Sequence, residues 1–169
     1  VGRAPVLQFD TSAQLLFVAP VQLHGVTQLK VISITDPDIV INCVVNSRLD
    51  FLERHPDDAF SVNSDGAKNI ASSASKLGIK LIHISTDSIF DGTKELYTEE
   101  DIPNPLNVYA KSKLLAENHV SELCKNSVIV RTNFYGYNMN GKFLFNWIYS
   151  MLKGNKTING FTDVIFSPL

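Results

Sequence analysis

A chain of 169 residues with an apolar fraction of 44% is long enough for one domain with a real core. Its net charge of −2 gives no electrostatic case for nucleic acid or an anionic membrane surface. No apolar run approaches the roughly 20 residues of a membrane span, and no basic-then-apolar segment opens the chain. Cys43 and Cys124 show neither CxxC nor metal-ligand spacing, so the expected setting is a reducing cytoplasm, with free thiols and no metal.

In chain order, residues 1–30 contain only Gly2 and Gly25. "VISI" (Val31 to Ile34) reads as a strand, and "DIVINCVV" (Asp38 to Val45) as a second, β-branched and buried on both faces. Only four residues separate Ile34 from Ile39, whereas a parallel crossover needs at least about ten. A segment missing from this region is the expected explanation; the alternative is an intact but degenerate fold. "DDAFSVNSDGAKNIASSASKLGIK" follows as a helix, with Ala67, Ile70, Ala71, Ala74 and Leu77 at helical spacing and Gly78 as its stop. "KLIHIS" (Lys80 to Ser85) is the next buried strand, followed by a loop rich in Asp, Gly, Glu and Pro from Thr86 to Pro105. A helix opens at "NVYAKSK" and extends to about Leu123, "SVIVRTNFYG" (Ser127 to Gly136) is a strand, and "KFLFNWIYSMLKG" (Lys142 to Gly154) is an apolar helix.

This alternation predicts an α/β fold with a doubly wound parallel sheet and right-handed crossovers. Ligands in that class sit outside the carboxyl ends of the strands, here Cys43 to Asn46, Ser85 to Asp87 and Thr132 to Phe134. The "NVYAKSK" helix begins beside the same edge. It carries Tyr109 and Lys113 on one face, where an ammonium favours the phenolate and draws its pKa from about 10 toward neutrality. Alone, such a pair is more often a solvated helix face than chemistry.

Taken in order, "INCVVNSRLD", "VNSDGAKNIA", "LIHISTDSIFDGTKELYTEEDIPNPLNVYAKSKLLAE" and "VIVRTNFYG" resemble the extended short-chain dehydrogenase/reductases, and more narrowly the dTDP-4-dehydrorhamnose reductase group. The similarity covers about Asp38 to Leu169. It implies a Rossmann-like fold and NADPH-dependent reduction of a 4-keto-6-deoxy nucleotide sugar, with NADP(H) as cofactor and NAD(H) as the alternative. By position, Tyr109 matches the catalytic tyrosine that donates a proton to the keto oxygen. Lys113 matches the lysine that lowers the tyrosine pKa and holds the nicotinamide ribose, and Thr86 matches the hydroxyl that bonds the substrate oxygen. The chemistry is coherent, because reducing a carbonyl builds charge on oxygen that aimed donors stabilise.

The resemblance also implies a cofactor shelf at Cys43, Val44 and Val45, where the family has small residues and the two valines would narrow the groove. Ser33 and Ile34 fall where the family has an Asp-Ile pair beside the adenine. Ser85 and Asn133 complete the cofactor set, and Asp87 and Phe134 join Thr86 toward the substrate. The implied division is a nucleotide-binding domain over 1–136 and the start of a substrate-binding lobe over 137–169. No glycine fingerprint can be drawn in residues 1–30, and the chain stops at "DVIFSPL" where the family continues. The first part is therefore expected to be incomplete or atypical, and the lobe truncated. The expected partner is a nucleotide-sugar substrate, with a homodimer as the assembly considered.

The regulatory beta subunit of methionine adenosyltransferase resembles the same family, which gives a second reading: a non-catalytic NAD(P)-binding subunit. Epimerase or dehydratase chemistry ranks third, since "STDSIF" offers only Asp87 as an added acid or base. Of the remaining candidates, His24, His55, His83 and His119 show no metal spacing. The acidic loop (Asp87, Asp91, Glu95, Glu99, Glu100, Asp101) reads as a solvated surface, Cys43 as a small buried hydrophobe, and Asn63 as a tie between helix and strand. Arg131 is open between an ion pair and a phosphate contact.

Overall fold

The computed structural model describes residues 15–18, 32–33, 35–133 and 144–160. Four parallel strands form one sheet in the order β1 (Leu15–Val18), β2 (Ile39–Asn42), β3 (Lys80–Ser85) and β4 (Ser127–Arg131). Leu15 stands opposite Ile39, Ile39 opposite Lys80, and Ser85 opposite Arg131. Val40 and Leu81 have no exposed surface, as expected where helices cover a parallel sheet.

The residues of "VISI" that are described are helical, which corrects the strand reading. Ile32, Ser33 and Thr35 lie in helical conformation, and the Asp36 amide donates to the Ile32 carbonyl at 3.1 Å. Ile32 is 1% exposed and belongs to the core cluster. The crossover preceding β2 therefore spans residues 19–38, from the end of β1, and the conflict over crossover length disappears. An apolar run this short cannot distinguish a helix end from a strand.

β2 stops at Asn42, earlier than the sequence pattern suggests, and an irregular stretch leads to α1 (Leu49–Arg54) and α2 (Pro56–Ala59). Pro56 takes the first helical position of α2, where its missing N–H costs nothing. A π-helical turn over Phe60–Asp65 joins α2 to α3 (Gly66–Leu77). Gly78 closes α3 with φ 70°, and the Ile79 amide returns to the Ala74 carbonyl at 2.9 Å, the left-handed ending that glycine permits. Buried Ala67, Ala71, Ala74 and Ala116 bring α3 and α4 (Val108–Leu123) into one core with β2 and β3, because methyl side chains let helix and sheet backbones approach.

The start of α4 is fixed twice. Asn107 Oδ1 accepts from the Ala110 amide at 2.8 Å, and Glu53 Oε1 of α1 accepts from the Val108 amide at 2.7 Å. Both bonds use backbone donors that no helix can satisfy internally. The chain divides into two compact units, Val1–Arg131 and Thr132–Leu169. The second contains α5 (Leu144–Lys153), closed by the Gly154 amide on the Ser150 carbonyl at 3.0 Å. Among the described residues, no helix is long and apolar enough to cross a membrane.

Candidate functional site

β3 delivers Thr86 to the carboxyl edge of the sheet in extended conformation, φ −143° and ψ 152°. Its hydroxyl oxygen accepts from the Ser88 amide at 3.2 Å and so starts the short turn Asp87–Ile89. Thr86 is 7% exposed, whereas Asp87 is exposed. Across from it, the first turn of α4 presents Tyr109, whose phenol lies beside the Thr86 hydroxyl. Lys113 follows one turn later, 2% exposed, and its ammonium donates to the Ile84 carbonyl at 2.7 Å. The hydroxyl, the phenol and the ammonium are thus gathered by the last residues of one strand and the first turns of one helix.

The electrostatics differ from the sequence expectation. Burial pushes the Tyr109 phenol up, the neighbouring Thr86 hydroxyl opposes that rise, and the Asp87 carboxylate adds to it. The expected lowering by Lys113 is not what governs this phenol, since the ammonium is turned onto the Ile84 carbonyl. Lys113 is itself lowered from 10.5 to about 8, chiefly by burial, with the Glu117 carboxylate and the Cys43 thiol acting the other way.

Behind this edge lies a polar layer that the sequence reading largely missed. Ser85 Oγ donates to Glu117 Oε1 at 2.5 Å, and Arg131 grips the same carboxylate through Nε and Nη2, the latter at 2.8 Å. Arg131 also lies over the Phe90 ring, 5.4 Å from its centre, so its open role resolves as an ion pair. Glu117 stands four residues after Lys113 in "KLLAE". Helical spacing could have placed it on the same face, but its burial was not legible. Asn63, in the π-helical turn, accepts from the Asn46 amide at 2.7 Å and donates to the Asn46 carbonyl at 3.0 Å and to Ser112 Oγ at 2.9 Å. It ties the π-helical turn to the irregular stretch past β2 and to α4, where a tie from helix to strand was expected.

Cys43 is exposed, not the buried hydrophobe expected, because β2 has ended by that point. Val44 is half-buried and packs against the core cluster. Part of its bulk is therefore taken up by the core, and Val45 beside it is half-buried as well. Ser33 is exposed on the helical turn leading into the amino end of β2, the opposite edge of the sheet from Thr86, so it is not brought to this site. Ile34 and Phe134 lie outside the described residues, and Asn133 belongs to the second unit. The acidic loop is exposed at Asp87, Glu95, Glu99 and Glu100 and half-buried at Asp91 and Asp101, and it is tied by its own bonds: Asp91 accepts from Tyr97 Oη at 2.6 Å and Asn104 Nδ2 at 2.9 Å. Among the described residues, no group of three or more His, Cys, Asp or Glu side chains is placed to hold a metal ion.

A parallel α/β sheet with a hydroxyl, a phenol and an ammonium at its carboxyl edge defines a Rossmann-like protein of the short-chain dehydrogenase/reductase kind. The RmlD substrate binding domain matches residues 10–168, and the chain belongs to that family. It is 44% identical over 95 residues to a methionine adenosyltransferase 2 subunit beta from Bos taurus, covering 56% of this chain and 28% of the relative. It is 41% identical over 113 residues to a dTDP-4-dehydrorhamnose reductase from Sinorhizobium fredii, covering 64% and 38%. Among solved structures, a dTDP-4-dehydrorhamnose reductase from Clostridium acetobutylicum superposes with a TM-score of 0.68 at 36% identity, covering 77% of this chain and 45% of that one. The Bacillus anthracis enzyme in complex with NADP gives 0.66 at 32%, with the same coverage. The chain thus spans less than half the length of these relatives.

Proposed function

We propose that the protein reduces a 4-keto-6-deoxy nucleotide sugar with NADPH, with Tyr109 as proton donor. The observation that carries this reading is the gathering of Thr86, Tyr109 and Lys113 at the carboxyl edge of the sheet, with the Thr86 hydroxyl beside the Tyr109 phenol and Lys113 buried one turn away on the Ile84 carbonyl. The relatives named as dTDP-4-dehydrorhamnose reductases, one of them bound to NADP, support the substrate and cofactor class.

The residues present fit a dinucleotide. Cys43 is exposed just past β2, and half-buried Val44 packs against the core cluster, so a flat ligand would meet this segment at Cys43. Those residues would hold the cofactor together with Ser85 and Lys113. When bound, the cofactor supplies the hydride. The chain does the rest. Thr86 donates to the substrate oxygen, and Tyr109, kept protonated by burial, delivers a proton to that oxygen as charge develops. Asp87 would border the sugar. In this reading residues 1–136 form the nucleotide-binding domain, and the segment from 137 begins the substrate lobe.

A second reading, a non-catalytic NAD(P)-binding subunit, is favoured by the 44% identity to the bovine methionine adenosyltransferase 2 subunit beta. One experiment separates the two. The protein is given NADPH and dTDP-4-keto-6-deoxyhexose, and oxidation of the cofactor is followed for wild type and Tyr109→Phe. Turnover that falls about 10²–10⁴-fold in the variant, with NADPH affinity retained, supports the reductase. NADPH binding without turnover in the wild type, across several 4-keto nucleotide sugars, supports the subunit.

A further inference from the structure

Beneath the carboxyl edge lies a buried pair that the proposed chemistry does not use. Asn42 of β2 and His83 of β3 stand opposite each other in the ladder, at 1% and 0% exposure. Past the end of β2, the Val44 amide is taken by Asn42 Oδ1 at 3.0 Å. That bond fixes which way the Asn42 side chain points, so its Nδ2 faces His83 Nδ1 at 3.0 Å. An amide nitrogen can only donate, so Nδ1 must accept, and the proton of the neutral ring must sit on Nε2. Burial first, and the Lys113 ammonium second, hold the ring in that neutral form, with a pKa of about 3.

The Nε2 atom is buried without a hydrogen-bond partner among the described residues. An orphaned buried donor is unfavourable, so an apolar side chain would serve better if this position only filled the core. What histidine adds is the acceptor at Nδ1. We propose that His83 is a positioning residue: through Asn42 it orients the Val44 amide, and with it the Cys43–Val45 segment on which a dinucleotide would lie. Only the last link, cofactor binding, rests on the proposed function. The relay itself belongs to the cofactor-free chain.

Two variants and one spectrum test it. His83→Asn places an oxygen where Nδ1 stood and keeps the acceptor, whereas His83→Phe fills the space without one. Hydrogen exchange of the cofactor-free protein should show the Val44 amide opening about tenfold faster in His83→Phe, as expected for loss of one buried hydrogen bond, and near wild type in His83→Asn. Amides within α4 should be unaffected in both. NADPH affinity should weaken about tenfold in His83→Phe and recover in His83→Asn. Nitrogen NMR of the wild-type imidazole should find the proton on Nε2, which decides the matter even if His83→Phe does not fold. A proton on Nδ1, or equal Val44 exchange in wild type and His83→Phe, overturns the relay. If the exchange and the tautomer hold but wild type binds no NADPH, the relay stands and the proposed function fails.

Discussion

The Thr86 hydroxyl lies beside the Tyr109 phenol, one at the end of β3 and the other in the first turn of α4. Neither residue is near the other in sequence, and the fold brings them together because α4 starts where the loop after β3 returns to the sheet edge. The hydroxyl also acts on the phenol, since it opposes the rise that burial produces.

Thr86→Val keeps the volume and removes that hydroxyl. The Tyr109 phenol should then titrate at a higher pH than in wild type, measured as the ultraviolet difference between Thr86→Val and Thr86→Val/Tyr109→Phe across an alkaline titration. If the protein is a reductase, kcat should also fall, by about 10²-fold for one lost donor to a developing oxyanion. An unmoved phenol titration would show that the two side chains do not meet.

Lys113 makes stability depend on alkaline pH. Its folded pKa of about 8 lies below the ordinary 10.5, so as pH falls from 10.5 the unfolded chain takes up a proton that the folded chain refuses until near 8. The resulting penalty is absent above 10.5, grows between the two values and is complete below about 8, where it is on the order of 3 kcal/mol. Lys113→Met should therefore gain relative to wild type at pH 7 and lose that gain as the pH approaches 10. Denaturant midpoints of both proteins at the two pH values check this; a difference independent of pH would count against it.

Glu117 is 4% exposed and Arg131 24% at their side chains. Truncating Arg131 to Ala leaves a buried carboxylate with only the Ser85 hydroxyl. For a fully buried pair that costs about 3–5 kcal/mol, and the partial exposure of Arg131 brings the expected value to on the order of 2–3 kcal/mol. Arg131→Lys should recover little of it, because a point charge cannot reproduce the two-nitrogen grip. Replacing both residues with leucine should cost less than the sum of the single changes, and a double-mutant cycle in urea reads this directly.

Asn107→Ala removes the side-chain cap of α4 and should destabilise by about 1 kcal/mol. The Glu53 bond to the Val108 amide remains, so the helix should persist, and Asn107→Asp should restore most of the loss. Thermal unfolding monitored by circular dichroism distinguishes these outcomes. A loss larger in Asn107→Asp than in Asn107→Ala would mean that the cap is not the stabilising contact.

Much of the architecture was legible in the residues themselves. β3 and α4 were readable because each follows one simple pattern, a continuous apolar strand in "KLIHIS" and a helix opened by an Asn cap in "NVYAKSK". The meeting of Thr86, Tyr109 and Lys113 at one edge followed from strand–helix alternation and from the resemblance. "VISI" failed because a short apolar run at a helix end and one in a strand look alike. β1 escaped notice because "LLFV" is a short apolar run too, one that only its pairing with β2 identifies.

What the sequence could not settle was which groups would be desolvated and which way each would point. Spacing places Lys113 near Tyr109, but burial and the Ile84 carbonyl decide where the ammonium goes. Composition shows a glutamate and an arginine, but only packing seals them together behind β3 and β4. Asn42 and His83 are unremarkable letters forty-one residues apart until the parallel register sets them side by side. Periodicity and turn chemistry are local and survive in a string of letters. Burial, tautomers and shifted pKa values depend on every neighbour that excludes water, and only the assembled sheet and its helices supply those.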